Sequence, residues 1–345
     1  MADDLTDDPR IRQQPTVPTL SVGVEGATAF TPEPGAEAFL PDELGREEAL
    51  AFQSGLEVKA RSQWSYARRR FFRHKLAMIS LVILVIVLGA GIFASWVAPY
   101  RYDELDLLNT ASPPTLEGKH FFGTDVLGRD YFSRVIYGIQ TSEKVAFFVA
   151  IISTLIGTVV GSIAGYFGGF FDNLLMRFTD LVLTIPGLAV LLTAAALLGW
   201  KDPLAVGLIL ALLFWTPLAR IVRGQFLSLR EKEYVEAAKA AGSGDFRIMF
   251  RHILPNALGP IIVFATLTVG LAILVEATLS FLGFGIQPPT PALGKLIGDA
   301  QNTSSDLWWL VTFPGLTIVL IVLCINFIGD GLRDALDPTQ RRTRT

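Results

Sequence analysis

Six stretches of this chain are too apolar and too long to rest in water. They occupy residues 76–97, 145–167, 174–198, 203–221, 260–284 and 309–329. Each approaches the roughly 20 residues that a helix needs to cross the hydrocarbon of a bilayer. In that solvent a backbone N–H or C=O has no water to bond, so an uninterrupted run of this kind satisfies itself as a helix. The expected fold class is all-α: a polytopic membrane bundle of six transmembrane helices. Composition agrees, since 51% of the 345 residues are hydrophobic and only 18% are charged, well off the balance of soluble domains. An even number of spans puts both chain ends on one side.

Basic residues choose the side. Lys59, Arg61, Arg68, Arg69, Arg70, Arg73 and Lys75 precede the first span with no acid among them, the signature of a cytoplasmic flank. Arg220, Arg223, Arg230, Lys232, Lys239, Arg247 and Arg251 flank or lie in the connection between the fourth and fifth spans, and Arg333, Arg341, Arg342 and Arg344 follow the sixth. On the opposite side the segment 99–144 carries more acids than bases, and later outer loops add only Lys201 and Lys295. Both termini are therefore expected in the cytoplasm.

Between the fourth and fifth spans lies EYVEAAKAAGSGDFRIMFRHILPNALGP, residues 233–260. Connections between packed helices are usually a few residues long, so a polar segment of this size asks for a use. Strong helix formers fill 231–241, and Gly242 and Gly244 end that helix. A second short helix is expected over 245–252, starting at a good N-cap and stopping before Pro255. Small side chains at Ala237, Ala238, Ala240 and Ala241 permit close approach of a partner, and Glu236, Lys239, Arg247 and Arg251 form a charged rim. The profile is that of a docking knob on the cytoplasmic side.

The run Glu236-Ala237-Ala238, three residues, Gly242, nine residues and then His252-Ile253-Leu254-Pro255 resembles the EAA loop of the membrane subunits of ATP-binding cassette importers. The general pattern has isoleucine where this chain has His252. The stretch Arg251-His252-Ile253-Leu254-Pro255-Asn256 is instead similar to the peptide-importer branch. So are GTDVLGRDYFSRVIYG at 123–138, LSFLGFGIQPPTPALGKLI at 279–297, and the ending Arg333-Asp334-Ala335-Leu336-Asp337-Pro338, all of which resemble dipeptide, oligopeptide and nickel permease subunits.

That resemblance implies a type I importer fold in which Glu236, Ala237, Ala238, Gly242, Arg247, His252, Leu254 and Pro255 couple the bundle to a separate ATPase. It implies as partners a second, similar permease chain, two ATPase subunits or domains, and an extracytoplasmic substrate-binding protein. That protein would dock on the outer face near Asp125, Arg129, Asp130 and Arg134; a structural plug that caps the spans is the other reading of that segment. Peptides are the implied substrate, with nickel chelates or other small solutes as the alternative. The implied location is the plasma membrane of a prokaryote.

ATP and Mg would belong to the partner subunits. This chain has no G-x-x-x-x-G-K-[ST] phosphate loop, so it is expected to be a permease subunit without an ATPase site and without a cofactor of its own. Its single cysteine, Cys324, excludes an intramolecular disulfide, and His74, His120 and His252 fall in separate segments, so no metal centre is expected. Nothing suggests nucleic acid as a partner. An ion-driven secondary transporter is a rival reading, but it would be expected to show internal repeats and broken helices around a midplane site, and it leaves the elbow without a purpose. A membrane-embedded enzyme would need converging acids or histidines, and the intramembrane ionisable groups are few and scattered.

Those few groups are candidates for the transport pathway or its gates. Arg177 and Asp180 lie three apart on one helical face, where they could pair and fix packing or contact substrate. Glu276 has no basic residue at helical spacing; either it faces the pathway or a gate, or it bonds to a neighbouring helix or the outer-loop backbone. Pro186-Gly187 and Pro217 permit kinks. Gly157, Gly161 and Gly165 form a smooth strip for close helix approach, within one subunit or between subunits. Residues 123–138 fit a short amphipathic helix after the turn at Gly128, and 287–291 form a stiff outer loop. The layout is thus an acidic, proline-rich, disordered tail over 1–58, a basic juxtamembrane segment over 59–75, a permease domain over 76–338 with its elbow at 231–258, and a basic tail over 339–345. The first of these holds twelve acids against three basic residues, a composition that cannot bury enough apolar surface to offset ordering entropy.

Overall fold

The structure, a computed structural model, describes residues 63–198, 202–301, 303 and 306–336. The expected tail over 1–58, the start of the basic segment at 59–62 and the stretch 337–345 lie outside the described residues. Helices dominate what is described, and the sole β element there is an isolated antiparallel bridge between Thr124 and Asp130.

A basic helix, α1 (Gln63–Arg73), leads into α2 (Lys75–Ile92) across His74, whose ring Nδ1 accepts the Ala77 N–H at 3.1 Å and so caps α2. One further turn, α3 (Ala94–Val97), precedes a long loop that includes a 3-10 turn at Glu117–Lys119. Then comes α4 (Tyr131–Phe167), capped by Asp130 through the Ser133 N–H. The amphipathic segment expected as a separate outer helix is instead the beginning of α4. At 1.5 Å per residue its 37 residues make a rod of about 55 Å, longer than the hydrocarbon core.

The third expected span is a bent pair, α5 (Gly169–Thr184) and α6 (Gly187–Leu198), inclined at 79° to each other. Pro186 has no N–H to give the Val182 carbonyl and forces Ile185 out of the helical region, and Ile185 is indeed extended. By contrast α7 (Pro203–Leu229) continues through Pro217 without interruption, its start capped by Asp202. After the elbow, α10 (Leu254–Phe281), the short α11 (Leu293–Ala300) and α12 (Trp309–Leu336) complete the chain; the elbow's own helices, α8 (Glu233–Ala240) and α9 (Asp245–Arg247), lie between α7 and α10. Among the described residues five helices are long and apolar enough to cross a membrane, or six where the bent pair is counted as one span.

The most extensive helix-to-helix contact joins α4 to α7. A side chain at Gly157 would meet the Trp215 carbonyl at 2.7 Å, one at Gly161 would strike the Ala219 carbonyl, and one at Gly165 would meet the Arg223 carbonyl at 2.7 Å. The glycine strip therefore serves packing within one subunit. The main apolar core gathers Val145 and Val149 of α4, Leu210 of α7, Ile273 of α10, Leu293 of α11 and Ile321 of α12. A second cluster sits at the elbow end of α4 and α7.

Overpacking that strip has a definite outcome. Gly161→Leu should destabilise the detergent-solubilised chain by about 1–3 kcal/mol or more, visible as earlier thermal unfolding. Gly224→Ala is the control, because no atom lies within 4 Å of the added carbon, and it should hold or slightly raise stability through helix propensity.

Candidate functional site: the elbow between α7 and α10

Glu233 and Glu236 occupy the first turn of α8 and Lys239 the last, a charge order that suits the helix dipole. Gly242 ends it in the left-handed region at φ +77. There its N–H bonds the Lys239 carbonyl at 2.9 Å and Ser243 N–H bonds the Ala238 carbonyl at 3.0 Å, the paired closure that a glycine at this position permits. The second helix starts at Asp245, as expected, but without a side-chain cap. Gly244 is the cap and offers no side chain, while Asp245 is the first residue of α9. Its carboxylate is engaged elsewhere, accepting the Tyr166 hydroxyl of α4 at 2.6 Å.

Nor does the second helix stop before Pro255. It widens into a π-helical turn, Ile248–Ile253, and runs directly into α10. Pro255 falls in the first turn of α10, where its missing N–H is tolerated, and the wider turn has already shifted the hydrogen-bond register, with Leu254 N–H reaching the Met249 carbonyl. Elbow and span are one continuous rod.

The elbow is anchored from beneath. Val235, Ile248 and Ile253 are completely buried, and with Met249 they pack against Tyr166 of α4, Leu218, Val222 and Phe226 of α7, and Ala257 and Ile261 of α10. Ala238 and Leu254 border this cluster. Arg230 donates to the Gly165 and Tyr166 carbonyls at 3.3 Å, and Asn256 donates to the His252 carbonyl at 2.7 Å. Lys239 stands 6.0 Å over the Tyr166 ring, and burial pushes the Tyr234 phenol above its ordinary pKa. Facing outward are Glu236, Ala237, Gly242, Arg247 and Pro255, with His252 half-buried. Two aromatic side chains that the sequence reading passed over, Phe246 and Phe250, are 73% and 60% exposed and lie parallel with ring centroids 6.4 Å apart. Aromatic residues four apart in an otherwise polar connection were the available signal.

Intramembrane candidates have separate fates. Asp180 does not pair with Arg177; it meets Arg220 of α7 at 2.6 Å, while Arg177 is exposed. One turn along, Arg223 grips Asp172 with both of its forks, one contact measuring 2.7 Å. Glu276 is fully buried and binds a neighbouring helix: Ser142 of α4 donates to it at 2.8 Å and Ser280 at 2.7 Å, and the Ser280 hydroxyl in turn accepts the Ile286 N–H. Pro186 marks the exposed break between α5 and α6.

At the opposite end, Asp125, Asp130 and Arg134 are 4%, 2% and 6% exposed, so their charges face inward. Asp125 accepts the Leu127 and Arg129 N–H groups at 2.9 Å, the Arg129 Nε at 2.7 Å, and Arg134. Asp130 caps α4 and holds the His120 ring at 2.9 Å. Hydrogen bonding from Asn109 keeps the Asp106 carboxyl below the usual range, and Trp309 of α12 ties the cap to the bundle through the Thr124 carbonyl at 3.1 Å. The four residues work first as struts of the cap. Among the described residues no three His, Cys, Asp or Glu side chains converge as a metal site would require.

The Tyr166 bond to Asp245 is testable by itself. Tyr166→Phe keeps the ring in the apolar cluster and loses one charge-assisted bond, about 1.5–3 kcal/mol. Hydrogen exchange should quicken in 245–253 and stay unchanged at the Glu276 end of α10.

Residues 157–342 match the family described as binding-protein-dependent transport system inner membrane component, and 62–114 match the N-terminal TM domain of oligopeptide transport permease C. The chain is 42% identical over 290 residues, 84% of its length and 96% of the relative's, to the oligopeptide transport system permease protein OppC of Escherichia coli (strain K12). It is 42% identical over 286 residues, 83% and 92% of the two chains, to OppC of Haemophilus influenzae. The dipeptide transport system permease protein DppC of Alkalihalophilus pseudofirmus is also 42% identical over 286 residues, 83% of this chain and 93% of that one. With its helical bundle, continuous elbow and matches along most of its length, this chain belongs to the family of inner membrane components of binding-protein-dependent transport systems.

Proposed function

We propose that this chain is a membrane-spanning subunit of an ATP-driven importer of peptides, lodged in a prokaryotic plasma membrane with both termini in the cytoplasm. The observation that carries the reading is the elbow. It presents small and charged residues outward while its underside is locked to α4, α7 and α10, as a part must be if force applied to it is to move spans. The peptide substrate is argued from relatives named for oligopeptide and dipeptide transport. The orientation is argued from basic residues around the elbow and α1.

In this reading a second permease chain completes the pathway, two ATPase subunits or domains bind ATP and Mg, and an extracytoplasmic binding protein delivers the substrate. Docking near Asp125, Arg129, Asp130 and Arg134 would use the surface those residues shape, with Arg129, 23% exposed, the one that reaches it. The ATPase would receive Glu236, Ala237, Gly242, Arg247 and the Phe246–Phe250 pair. Energy enters because the two ATPase states bind the elbow with different affinity, which any switched equilibrium requires.

Affinity purification in mild detergent followed by mass spectrometry should recover a second permease, an ATPase and a peptide-binding protein. Recovery of this chain alone, still moving solute down an imposed ion gradient in vesicles, would sink the proposal. In the reconstituted complex Glu236→Lys, or Gly242→Leu at its left-handed position, should cut ATP-driven uptake by roughly 5- to 150-fold, the range of a lost coupling free energy. Membrane insertion should be unchanged. Normal uptake with normal ATPase recovery in both variants would remove the elbow from the coupling route.

A further inference from the structure

The basic helix α1 has more positive charge than its fold explains. Arg70 and Arg73 lie in its last turn, where they complement the helix dipole. Arg68 and Arg69 lie earlier and gain nothing there, and Arg69 and Arg73 stand four apart, where like charges repel. Arg68, Arg69 and Arg73 are exposed, and among the described residues none of the three has a carboxylate partner. They line one groove together with Ser65, Tyr66 and Phe72.

Position supplies the second argument. Phe71 faces Gly331 of α12, so the helix is seated against the ends of two membrane-spanning helices, α2 and α12. Phe72 is 58% exposed. Immediately beyond it, Leu76, Ile79, Val82 and Ile86 form an exposed apolar stripe along α2, at the three- and four-residue spacing of one helical face. A soluble anion would meet the guanidinium groups alone, whereas the stripe, on a membrane-crossing helix, lies against hydrocarbon. A molecule with a phosphate head and a hydrocarbon tail satisfies both surfaces at once, and basic clusters next to a span are attracted to anionic lipid.

We propose that α1 and the first turns of α2 form a binding site for an anionic phospholipid, with Arg68, Arg69 and Arg73 on the headgroup phosphate and the acyl chains along Leu76, Ile79 and Val82. Arginine suits the role because its planar fork matches phosphate oxygens two at a time. The site is independent of the elbow and of the importer reading.

The test uses the purified full chain in detergent and native mass spectrometry, with phosphatidylglycerol and phosphatidylcholine as the probes. Three guanidinium groups near an anionic lipid should favour phosphatidylglycerol by about a hundredfold, and the triple variant R68Q/R69Q/R73Q should erase the preference. Equal retention of the two lipids by the parent chain, or an undiminished preference in the variant, overturns the site. Displacement of bound phosphatidylglycerol by millimolar inorganic phosphate also overturns it, since the ligand would then be free phosphate. Should the variant fail to insert, phosphatidylglycerol with a photoreactive headgroup, applied to the parent chain, decides. Crosslinks within 65–73 that unlabelled phosphatidylglycerol competes away and phosphatidylcholine does not support the site; crosslinks elsewhere overturn it.

Discussion

Gly157, Gly161 and Gly165 let the backbone of α4 lie against the carbonyls of Trp215, Ala219 and Arg223 on α7, and the order of the rest of the bundle follows from that approach. In lipid there is no hydrophobic force to drive one apolar helix onto another, so association depends on how closely two backbones fit. A methyl group anywhere on this strip would push α7 outward. With the strip intact, Tyr166 at the end of α4 and Phe226 near the end of α7 converge, and their side chains become the floor on which Val235, Ile248, Met249 and Ile253 settle. The elbow's firmness is therefore set by glycines outside its own segment.

Much of this was legible because periodicity and solvent impose it. Apolar runs announced the spans, the four-residue glycine spacing announced a close helix contact, and Gly242 announced the end of α8. Proline was harder to read, since its effect differs from place to place along these helices. Pro217, Pro260 and Pro314 are held inside continuous helices, whereas Pro186 ends one. Burial separates two of these cases. Trp215, Thr216 and Leu218 around Pro217 are almost wholly enclosed, so packing holds the helix on course, while Ile185 and Leu188 beside Pro186 are about half exposed and Gly187 follows. With little packing to oppose it, the local preference at Pro186 prevails.

What sequence left open shares a cause, which is distance along the chain. Asp180 and Arg177 could pair because they are three apart, yet the partner of Asp180 is Arg220, forty residues away on α7. Asp245 does start a helix, as local rules expected, but its side-chain partner Tyr166 is seventy-nine residues earlier and was not foreseen. Glu276 left two readings open for the same reason: Ser142, which decides between them, is 134 residues away. A local reading identifies which groups require partners, and only the tertiary arrangement says which partners they obtain.

Those long-range bonds also explain how the two ends of the molecule are mechanically joined. α4 starts at the cap opposite the elbow, where Asp130 fixes its first turn, and ends at Tyr166 against the elbow. α10 starts out of the elbow's π-helical turn and ends near Glu276, which two hydroxyls hold to α4 and to the chain entering the loop after α10. The two helices are thus pinned to each other near both extremes. Displacing the elbow relative to α4 alone would strip a buried cluster and a charge-assisted bond, and displacing α10 alone would leave the fully buried Glu276 carboxyl without its hydroxyl from α4, a cost of about 1–3 kcal/mol for an unsatisfied buried group. Movement of α4 and α10 together breaks neither set. α5 and α6 meet α7 through the ion pairs of Asp172 and Asp180 and the stack of Phe178 on Trp215, and Leu191 of α6 reaches the main core, so the exposed break at Pro186 interrupts an otherwise packed pair. The firmest ties to the elbow are those of α4 and α10.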